Sequence, residues 1–480
     1  MNRRVAVFAI LLPIFIGASR PADAGAQTSR RSSHHQVPAL AGRRLWVRTI
    51  QPNADSAPAY LPHVRLRDGR RHAMVYVVAG NNGSNCSPGD PVRRATLYAL
   101  DAATGQTVWT RTTTGPSRCT TAGPVADPSG KWVYAPGLDG KMHRYDAASA
   151  TESRSQGWPH TITLMPDVEK MAAPATIGTG HLYMTTSGFI GDQGHYEGHL
   201  VTIDLASGHS RVFNTLCSNV RALLTPSAGR STYCPAVESG VWGRGEGAID
   251  PVTHDVYIVS GNGPWNGRTN WGDSILKLDP SGSHLLDAYT PTNQADLNNS
   301  DTDLGSTGPA MLPTITEGGH AYHLLVQGGK DGILRLLNRD NLSEAGGPGH
   351  LGGDLHDIST PCGQEVLTAP AVWKSPSKQV WVFYANGCGV AGYHLSSPST
   401  GKFRLDQMWL VKGSGTTPII SHGVLYVAHS GEVDGYNPAS HAIVWRAGGT
   451  GDIHWEYPLV AGSRLFMPDE SGHVTAFALR

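Results

Sequence analysis

The residues best suited to chemistry lie in a stretch of unusual composition, residues 242–312. It begins WGRGEGAIDPVTHDVYIVSGNGPWNGRTNWGDSILKLDP and ends YTPTNQADLNNSDTDLGSTGPAML. Glycine lets the backbone approach a ligand closely, and Asn and Asp oxygens are ligands for a hard cation such as Ca²⁺. The composition therefore indicates a ligand or cation site. The alternative is that Asn262 and Asp303 only form turns and cap strand ends, as Asn and Asp often do.

Other catalytic templates are missing from the sequence. It contains no G-x-S-x-G nucleophile elbow, no phosphate-binding G-x-x-x-x-G-K-[ST] loop and no H-E-x-x-H zinc motif. The 38 basic and 38 acidic residues balance, so no overall field favours nucleic acid as a partner.

A repeated hairpin must position these residues. Leu97 to Trp109, LYALDAATGQTVW, has an alternating strand, a turn from Asp101 to Gly105, and a return strand that begins with β-branched and aromatic residues. Related segments recur about every 35 to 50 residues, a spacing typical of repeat architectures. Every copy is strand rather than helix, which favours a β-propeller.

The pattern xLYALDxxTGxxxW resembles the repeat of pyrroloquinoline-quinone (PQQ) propellers, the quinoprotein alcohol dehydrogenase-like family, and the resemblance covers the chain after residue 43. We predict an all-β, eight-bladed propeller over residues 43–480, with four-stranded blades; seven blades is the alternative. The last blade lacks an outer strand, and Arg44–Ile50 (RLWVRTI) resembles one. We therefore expect an N-terminal strand to close the ring, which removes exposed sheet edges.

The same resemblance implies site residues. SGNGPWN is similar to the dehydrogenase segment that supplies a calcium ligand, which makes Asn262 that ligand. NNSDTDLG places Asp303, or alternatively Asp301, where the family has the catalytic base, and Asp303 is also a candidate metal ligand. In GGKDGILRLLN the match to the quinone-binding cation is Lys330, and Trp242 is the candidate stacking floor under the quinone.

The chain also departs from that family. It has no adjacent Cys-Cys pair and no C-x-x-C-H haem motif. The family's Glu ligand to calcium should fall near GFIGDQGHYEGHL, where Asp192 and Glu197 are present but neither has the family context.

Residues 1–26 have the features of a signal peptide: early arginines, a 14-residue apolar run from Val5 to Ala18 and small residues before Ala26. The run is shorter than a membrane span, so we expect a periplasmic or secreted protein without a membrane span. Residues 27–42 are expected to be a disordered lead-in. The six cysteines fall in local pairs, Cys86 with Cys119, Cys217 with Cys234, and Cys362 with Cys388. Export favours these disulfides, although sequence alone permits other pairings.

Two functions remain open. The interpretation favoured by the departures is a monomeric scaffold propeller that presents one face to a protein or a glycan and needs no cofactor. The alternative is a quinoprotein-like dehydrogenase that oxidises an alcohol or sugar hydroxyl with PQQ and Ca²⁺. Asn262, Asp303 and Lys330 favour the enzyme.

Overall fold

The computed structural model describes residues 39–81, 86–87, 93–397 and 402–480. The predicted signal peptide, 1–26, and most of the predicted lead-in lie outside the described residues. Among the described residues, no helix is long and apolar enough to cross a membrane.

Strands dominate the chain. Two of them precede the first blade: β1 (Leu40–Ala41) and β2 (Arg44–Thr49). Blade 1 contains β3 (Asn53–Ala54), β4 (Ala59–Arg65), β5 (Arg71–Asn81), β6 (Arg94–Asp101) and β7 (Thr107–Thr114). Blade 2 contains β8 (Val125–Ala126), β9 (Trp132–Pro136), β10 (Lys141–Asp146) and β11 (His160–Thr161). Blade 3 contains β12 (Glu169–Met171), β13 (Thr176–Gly178), β14 (His181–Gly188), β15 (His199–Asp204) and β16 (Ser210–Asn214). Blade 4 contains β17 (Ala248–Ile249), β18 (Val256–Val259), β19 (Ile275–Leu278) and β20 (Leu285–Tyr289).

The second half continues the series. A short helix, α1 (Gln294–Asn299), and a 3₁₀ turn, Leu304–Ser306, precede blade 5. Blade 5 contains β21 (Ala310–Met311), the side hairpin β22 (Ile315–Glu317) and β23 (His320–Tyr322), then β24 (Leu324–Gln327), β25 (Ile333–Asn338) and β26 (His356–Ser359). After a second 3₁₀ turn, Pro361–Gly363, blade 6 contains β27 (Ala371–Lys374), β28 (Val380–Ala385), β29 (Gly389–Ser396) and β30 (Arg404–Lys412). Blade 7 contains β31 (Ile419–Ser421), β32 (Val424–His429), β33 (Glu432–Tyr436) and β34 (Ile443–Gly448), and blade 8 begins with β35 (Leu459–Ala461), β36 (Arg464–Asp469) and β37 (His473–Ala478).

The N-terminal strand completes blade 8. β2 pairs antiparallel with β37, with Val47 opposite Thr475, so the first and last strands share one sheet. The eight-bladed ring and its closure are confirmed, and the seven-bladed alternative is wrong. β1, which falls inside the predicted lead-in, makes a short parallel pairing with β34 of blade 7.

The recurring tryptophans join neighbouring blades. In four blades an indole N–H on the fourth strand donates to a backbone carbonyl at or just past the end of the third strand of the next blade. The pairs are Trp46 with Ala102, Trp109 with Ala147, Trp409 with Pro438, and Trp445 with Ala478, at 3.0–3.3 Å. The first of these pairs joins blade 8 to blade 1, so the closing strand repeats the contact that joins the other blades.

The repeated turns depend on an aspartate. Asp101 Oδ1 accepts the N–H groups of Ala103 (3.0 Å) and Thr104 (2.9 Å), and Gly105 supplies the positive φ of 71° that completes the turn. Asp146 and Asp204 accept equivalent bonds in blades 2 and 3, so one local device forms the same end of successive blades.

Three disulfides join the local cysteine pairs. They link Cys86 to Cys119, Cys217 to Cys234 and Cys362 to Cys388, with Cα–Cα separations of 5.6, 5.8 and 6.2 Å. The predicted pairing is confirmed.

Candidate functional site

A cavity of about 240 Å³ opens at the end of the ring opposite the repeated aspartate turns. Its walls come from the segments that follow the second strand of a blade and from those that connect one blade to the next. Asn262 and Lys330 belong to the first kind of segment, whereas Trp242 and Asp303 belong to the second. These segments lie at the same end of every blade, so residues far apart in sequence meet there.

The cavity lining includes all five residues to which the sequence resemblance assigned a role: Trp242, Asn262, Asp301, Asp303 and Lys330. The structure therefore brings together residues spread over almost 90 positions. Their chemical roles stay predictions.

Asp303 lies at the floor of this group and is only 3 % exposed. Its Oδ1 accepts the backbone N–H of Asn262 at 2.6 Å, and its Oδ2 forms an ion pair with Lys330 Nζ. Lys330 Nζ also lies 3.3 Å from Oδ1 of the exposed Asp301. The buried carboxylate is thus fixed by one neutral donor and one cation.

Burial and charge pairing act in opposite directions on the pKa values of Asp303 and Lys330. Burial raises the pKa of Asp303 above its ordinary value, although the Lys330 ammonium acts to lower it. Burial acts to lower the pKa of Lys330, but the charges of Asp303 and Asp301 outweigh it and raise that pKa. Asp303 is therefore a more basic carboxylate than one in water.

Aromatic rings form another wall. The Trp242 and Trp455 rings meet edge to face with centroids 6.1 Å apart. Lys330 Nζ lies 5.3 Å from the Trp242 ring centroid, and Arg244 Cζ lies 5.0 Å from that of Trp455. Each tryptophan is thus paired with a cation at cation–π distance.

The buried guanidinium of Arg244 holds this wall in place. It donates to the carbonyls of Ala172 and Asp55, both at 3.0 Å. Arg244 was not predicted from the sequence, because its partners are 72 and 189 positions away and leave no local pattern.

Lys170 also lines the cavity and was not identified from the sequence. Burial lowers the pKa of its ammonium to about 8. Its Nζ lies 5.9 Å from the ring centroid of Phe189, and no hydrogen bond or ion pair to another described residue engages it. Phe189 packs in turn against the Cys86–Cys119 disulfide. An uncommitted cation and a disulfide-backed aromatic ring therefore face the cavity.

The two acidic candidates of the third blade separate. Asp192 lines the cavity and accepts the Tyr196 hydroxyl at 2.5 Å. Glu197 is fully buried, lies outside the lining and accepts from His195 Nε2 at 2.9 Å. Glu238 brings a further acidic group close to these residues, since its carboxylate lies 3.4 Å from Asn262 Nδ2. Burial, together with the charges of Asp192, Asp301 and Asp303, raises the pKa of Glu238.

A second buried aspartate supports the first. Asp273 Oδ1 accepts the N–H of Leu304 at 3.1 Å, the residue directly after Asp303. Burial raises the pKa of Asp273 to about 8. Glycine is needed at position 261, beside Asp303, because a Cβ there would lie 2.2 Å from Asp303 Oδ1. No sequence motif marked Asp273, although it lies within the stretch 242–312 of unusual composition.

The comparisons with known proteins bear on the fold. No family model and no curated protein matches this chain. Among solved structures, the quinohemoprotein alcohol dehydrogenase ADHIIG of Pseudomonas putida aligns with 91 % of this chain and 76 % of its own, at TM-score 0.60 and 11 % identity. A europium-containing methanol dehydrogenase aligns over 91 % and 93 %, at TM-score 0.59 and 14 % identity. BamB from Moraxella catarrhalis aligns over 91 % and 99 %, at TM-score 0.50 and 12 % identity. At these identities the similarity supports a PQQ-like propeller fold, and it includes both dehydrogenases and BamB.

Proposed function

We propose that the cavity binds PQQ together with a hard divalent cation such as Ca²⁺, and that the protein oxidises the hydroxyl of an alcohol or sugar. The observation that supports this function over the scaffold interpretation is the meeting of Asn262, Asp303, Lys330 and Trp242 in one cavity. A scaffold face has no need of a buried carboxylate that is paired with a cation and lies beside an aromatic ring.

The residues present fit both groups. Trp242 and Phe189 offer apolar ring faces, and Lys170 and Arg244 offer positive charge to a polycarboxylate. The oxygens of Asn262, Asp303, Asp301 and Asp192 are the ligand type that a hard cation takes. Of the two third-blade acids, Asp192 is the candidate metal ligand, because it lines the cavity and Glu197 does not.

In this proposal the protein's own groups manage the proton. PQQ, when bound, would supply the two-electron acceptor, and Ca²⁺ would polarise it. Asp303 acts as the general base that takes the hydroxyl proton, and burial makes it more basic. The Asn262 N–H holds Oδ1, and Lys330 keeps the carboxylate ionised before the proton arrives.

The test is a binding titration of untagged protein with PQQ in the presence of Ca²⁺, followed by quinone absorbance and fluorescence. We expect saturable binding that weakens at least tenfold in Lys330→Ala and in Trp242→Ala, and alcohol-dependent reduction of a dye that is lost in Asp303→Asn. Lys277→Ala is the matched control, because Lys277 pairs with Asp255 outside the cavity. Absence of binding at tens of micromolar, or equal binding by all variants, would refute the proposal and leave the scaffold function.

We also propose that the protein works outside the cytoplasm. Three disulfides suit an oxidising compartment, and the N-terminal sequence has the features of a signal peptide. N-terminal sequencing of the protein recovered from the periplasm or medium checks this. Recovery only as reduced, unprocessed cytoplasmic protein would contradict it.

A further inference from the structure

Three side chains meet where the ring closes. Asp55 follows β3 of blade 1, His454 lies in the segment between blades 7 and 8, and Glu470 begins the turn after β36 of blade 8. One ligand atom from each lies within 4.8 Å of the others. Residues from the first and last parts of the propeller thus converge on one point.

The convergence is on a single nitrogen. His454 Nδ1 lies 3.2 Å from Asp55 Oδ1 and 3.7 Å from Glu470 Oε1. A single ring nitrogen thus faces two carboxylates. At two other histidines, His72 and His143, two carboxylates are also present, but each one faces a different ring nitrogen.

A fourth group beside this cluster lacks a partner. The Glu456 side chain is fully buried, and its Oε1 makes no hydrogen bond with any described residue. Its Oε2 accepts the backbone N–H of His454 at 2.7 Å, which places the carboxyl next to the cluster. A buried carboxyl oxygen without a hydrogen-bond partner next to two further carboxylates is an arrangement that a bound cation would satisfy.

The two cationic side chains near Asp55, Arg244 and Lys170, make no hydrogen bond with its carboxylate among the described residues. Arg244 donates to the backbone carbonyl of Asp55 and not to its carboxylate. The Asp55 carboxylate is instead oriented by neutral donors, Asn81 Nδ2 at 2.6 Å and the Trp455 N–H at 3.2 Å. Neutral donors that orient an acidic ligand are typical of the surroundings of a metal site.

We propose that Asp55, His454 and Glu470 bind one divalent transition-metal ion such as Zn²⁺. Imidazole nitrogen with carboxylate oxygen favours such an ion over Ca²⁺, which takes oxygen ligands only. Bonds of about 2.1 Å in a tetrahedron separate ligand atoms by about 3.4 Å. The separations of 3.2 and 3.7 Å bracket that value. Three protein ligands leave a fourth position for water.

The bound metal links blade 1 to blade 8 and strengthens the ring closure. His454 packs edge to face against Trp455, with ring centroids 4.8 Å apart, but none of the three ligands lines the cavity, so the site does not require PQQ or a substrate. An ion that binds the folded chain and not the unfolded chain stabilises the fold by mass action. The stabilisation grows as the concentration of the free ion rises above its Kd.

The test uses untagged full-length protein, stripped with a chelator and titrated with Zn²⁺ alone by calorimetry. We expect one tight site per chain and a rise in the unfolding temperature when it fills. His454→Ala and Glu470→Gln should each weaken that site at least tenfold and lose most of the temperature rise. Substitution with Co²⁺ should give the visible absorption of tetrahedral coordination in the wild type and not in His454→Ala.

His72→Ala is the matched control, since it removes another histidine flanked by two carboxylates, and it should retain the site. Circular dichroism of each metal-free variant checks that it folds. Absence of a tight site in the wild type, or its persistence in both His454→Ala and Glu470→Gln, would overturn the proposal. Because PQQ and Ca²⁺ are omitted, failure here is distinct from failure of the dehydrogenase function.

Discussion

Removal of the Lys330 ammonium should destabilise the protein in a strongly pH-dependent manner. Lys330→Met leaves Asp303, which is 3 % exposed, without the one cation that pairs with it among the described residues. Removal of one partner of a buried pair costs about 3 to 5 kcal/mol. The two ions attract each other by about 5 kcal/mol at about 3 Å and an effective dielectric constant of about 20, which is consistent with that range.

Protonation of Asp303 limits the loss. The carboxyl can take up a proton at a cost of about 1.4 kcal/mol for each pH unit above its ordinary value of 3.8. The loss of unfolding free energy in Lys330→Met therefore cannot exceed this protonation cost, which is about 4 kcal/mol at pH 7 and about 1 kcal/mol at pH 4.5. We expect Lys330→Met to lose about 3 kcal/mol at pH 7 and no more than about 1 kcal/mol at pH 4.5.

The direction of the pH effect follows from the raised pKa. A carboxyl that ionises at higher pH in the folded than in the unfolded state contributes stability below its unfolded pKa and loses it as the pH rises. Loss of the Lys330 charge raises the pKa of Asp303 further, so the deficit of the variant grows toward neutral pH.

The assay is urea unfolding of four proteins at both pH values: wild type, Asp303→Asn, Lys330→Met and the double variant. The double variant should be more stable than Lys330→Met at pH 7, because no buried charge remains unpaired. Arg404→Met is the control, since its pair with Asp406 is exposed and should contribute less than about 1 kcal/mol at either pH. An equal loss for Lys330→Met at both pH values would refute the reasoning.

Two further predictions concern the fold. Trp46→Ala should lose about 3 kcal/mol of unfolding free energy, because it removes a large side chain and its bond to Ala102 from the closing strand; Val47→Ala, at a position 43 % exposed, is the control, and equal losses in urea unfolding would contradict this role. Burial and the nearby Glu169 raise the pKa of the Glu197 carboxyl to about 8, so its contribution is full below pH 4.5 and falls as the pH rises to 8. The unfolding temperature of the wild type should therefore fall more between pH 5 and pH 8 than that of Glu197→Gln, and parallel curves in scanning calorimetry would disprove this.

The fold was accessible from the sequence because its signals are local. The turn at Asp101 is made by bonds to residues two and three positions ahead, so it leaves a motif wherever it recurs. The closing strand was recognisable because Arg44–Thr49 has the composition of an outer strand. The pairing of β1 with β34 and the side hairpin β22–β23 were not predicted, because neither repeats in the other blades.

The candidate site was only partly accessible. Asn262, Asp303 and Lys330 lie in segments that resemble a known family, so each could be named, and the structure brings them together on one cavity. Lys170 and Arg244 belong to no motif, and their relevance arises from contacts between distant blades. Such contacts form only once the ring has closed, so they leave no local pattern that could be recognised in one sequence.

The pairing of β2 with β37 also orders events during the life of the chain. Arg44 lies opposite Phe477, so β2 cannot pair until residues more than 400 positions later in the chain have been synthesised. Contacts of such long sequence separation form slowly, since the intervening chain must be organised first. A translation product that stops short of β37 has no complete blade 8 and leaves the edge of β2 open. Such incomplete products would therefore expose sheet edges that promote aggregation. A ligand that needs the closed ring would bind only chains that include β37.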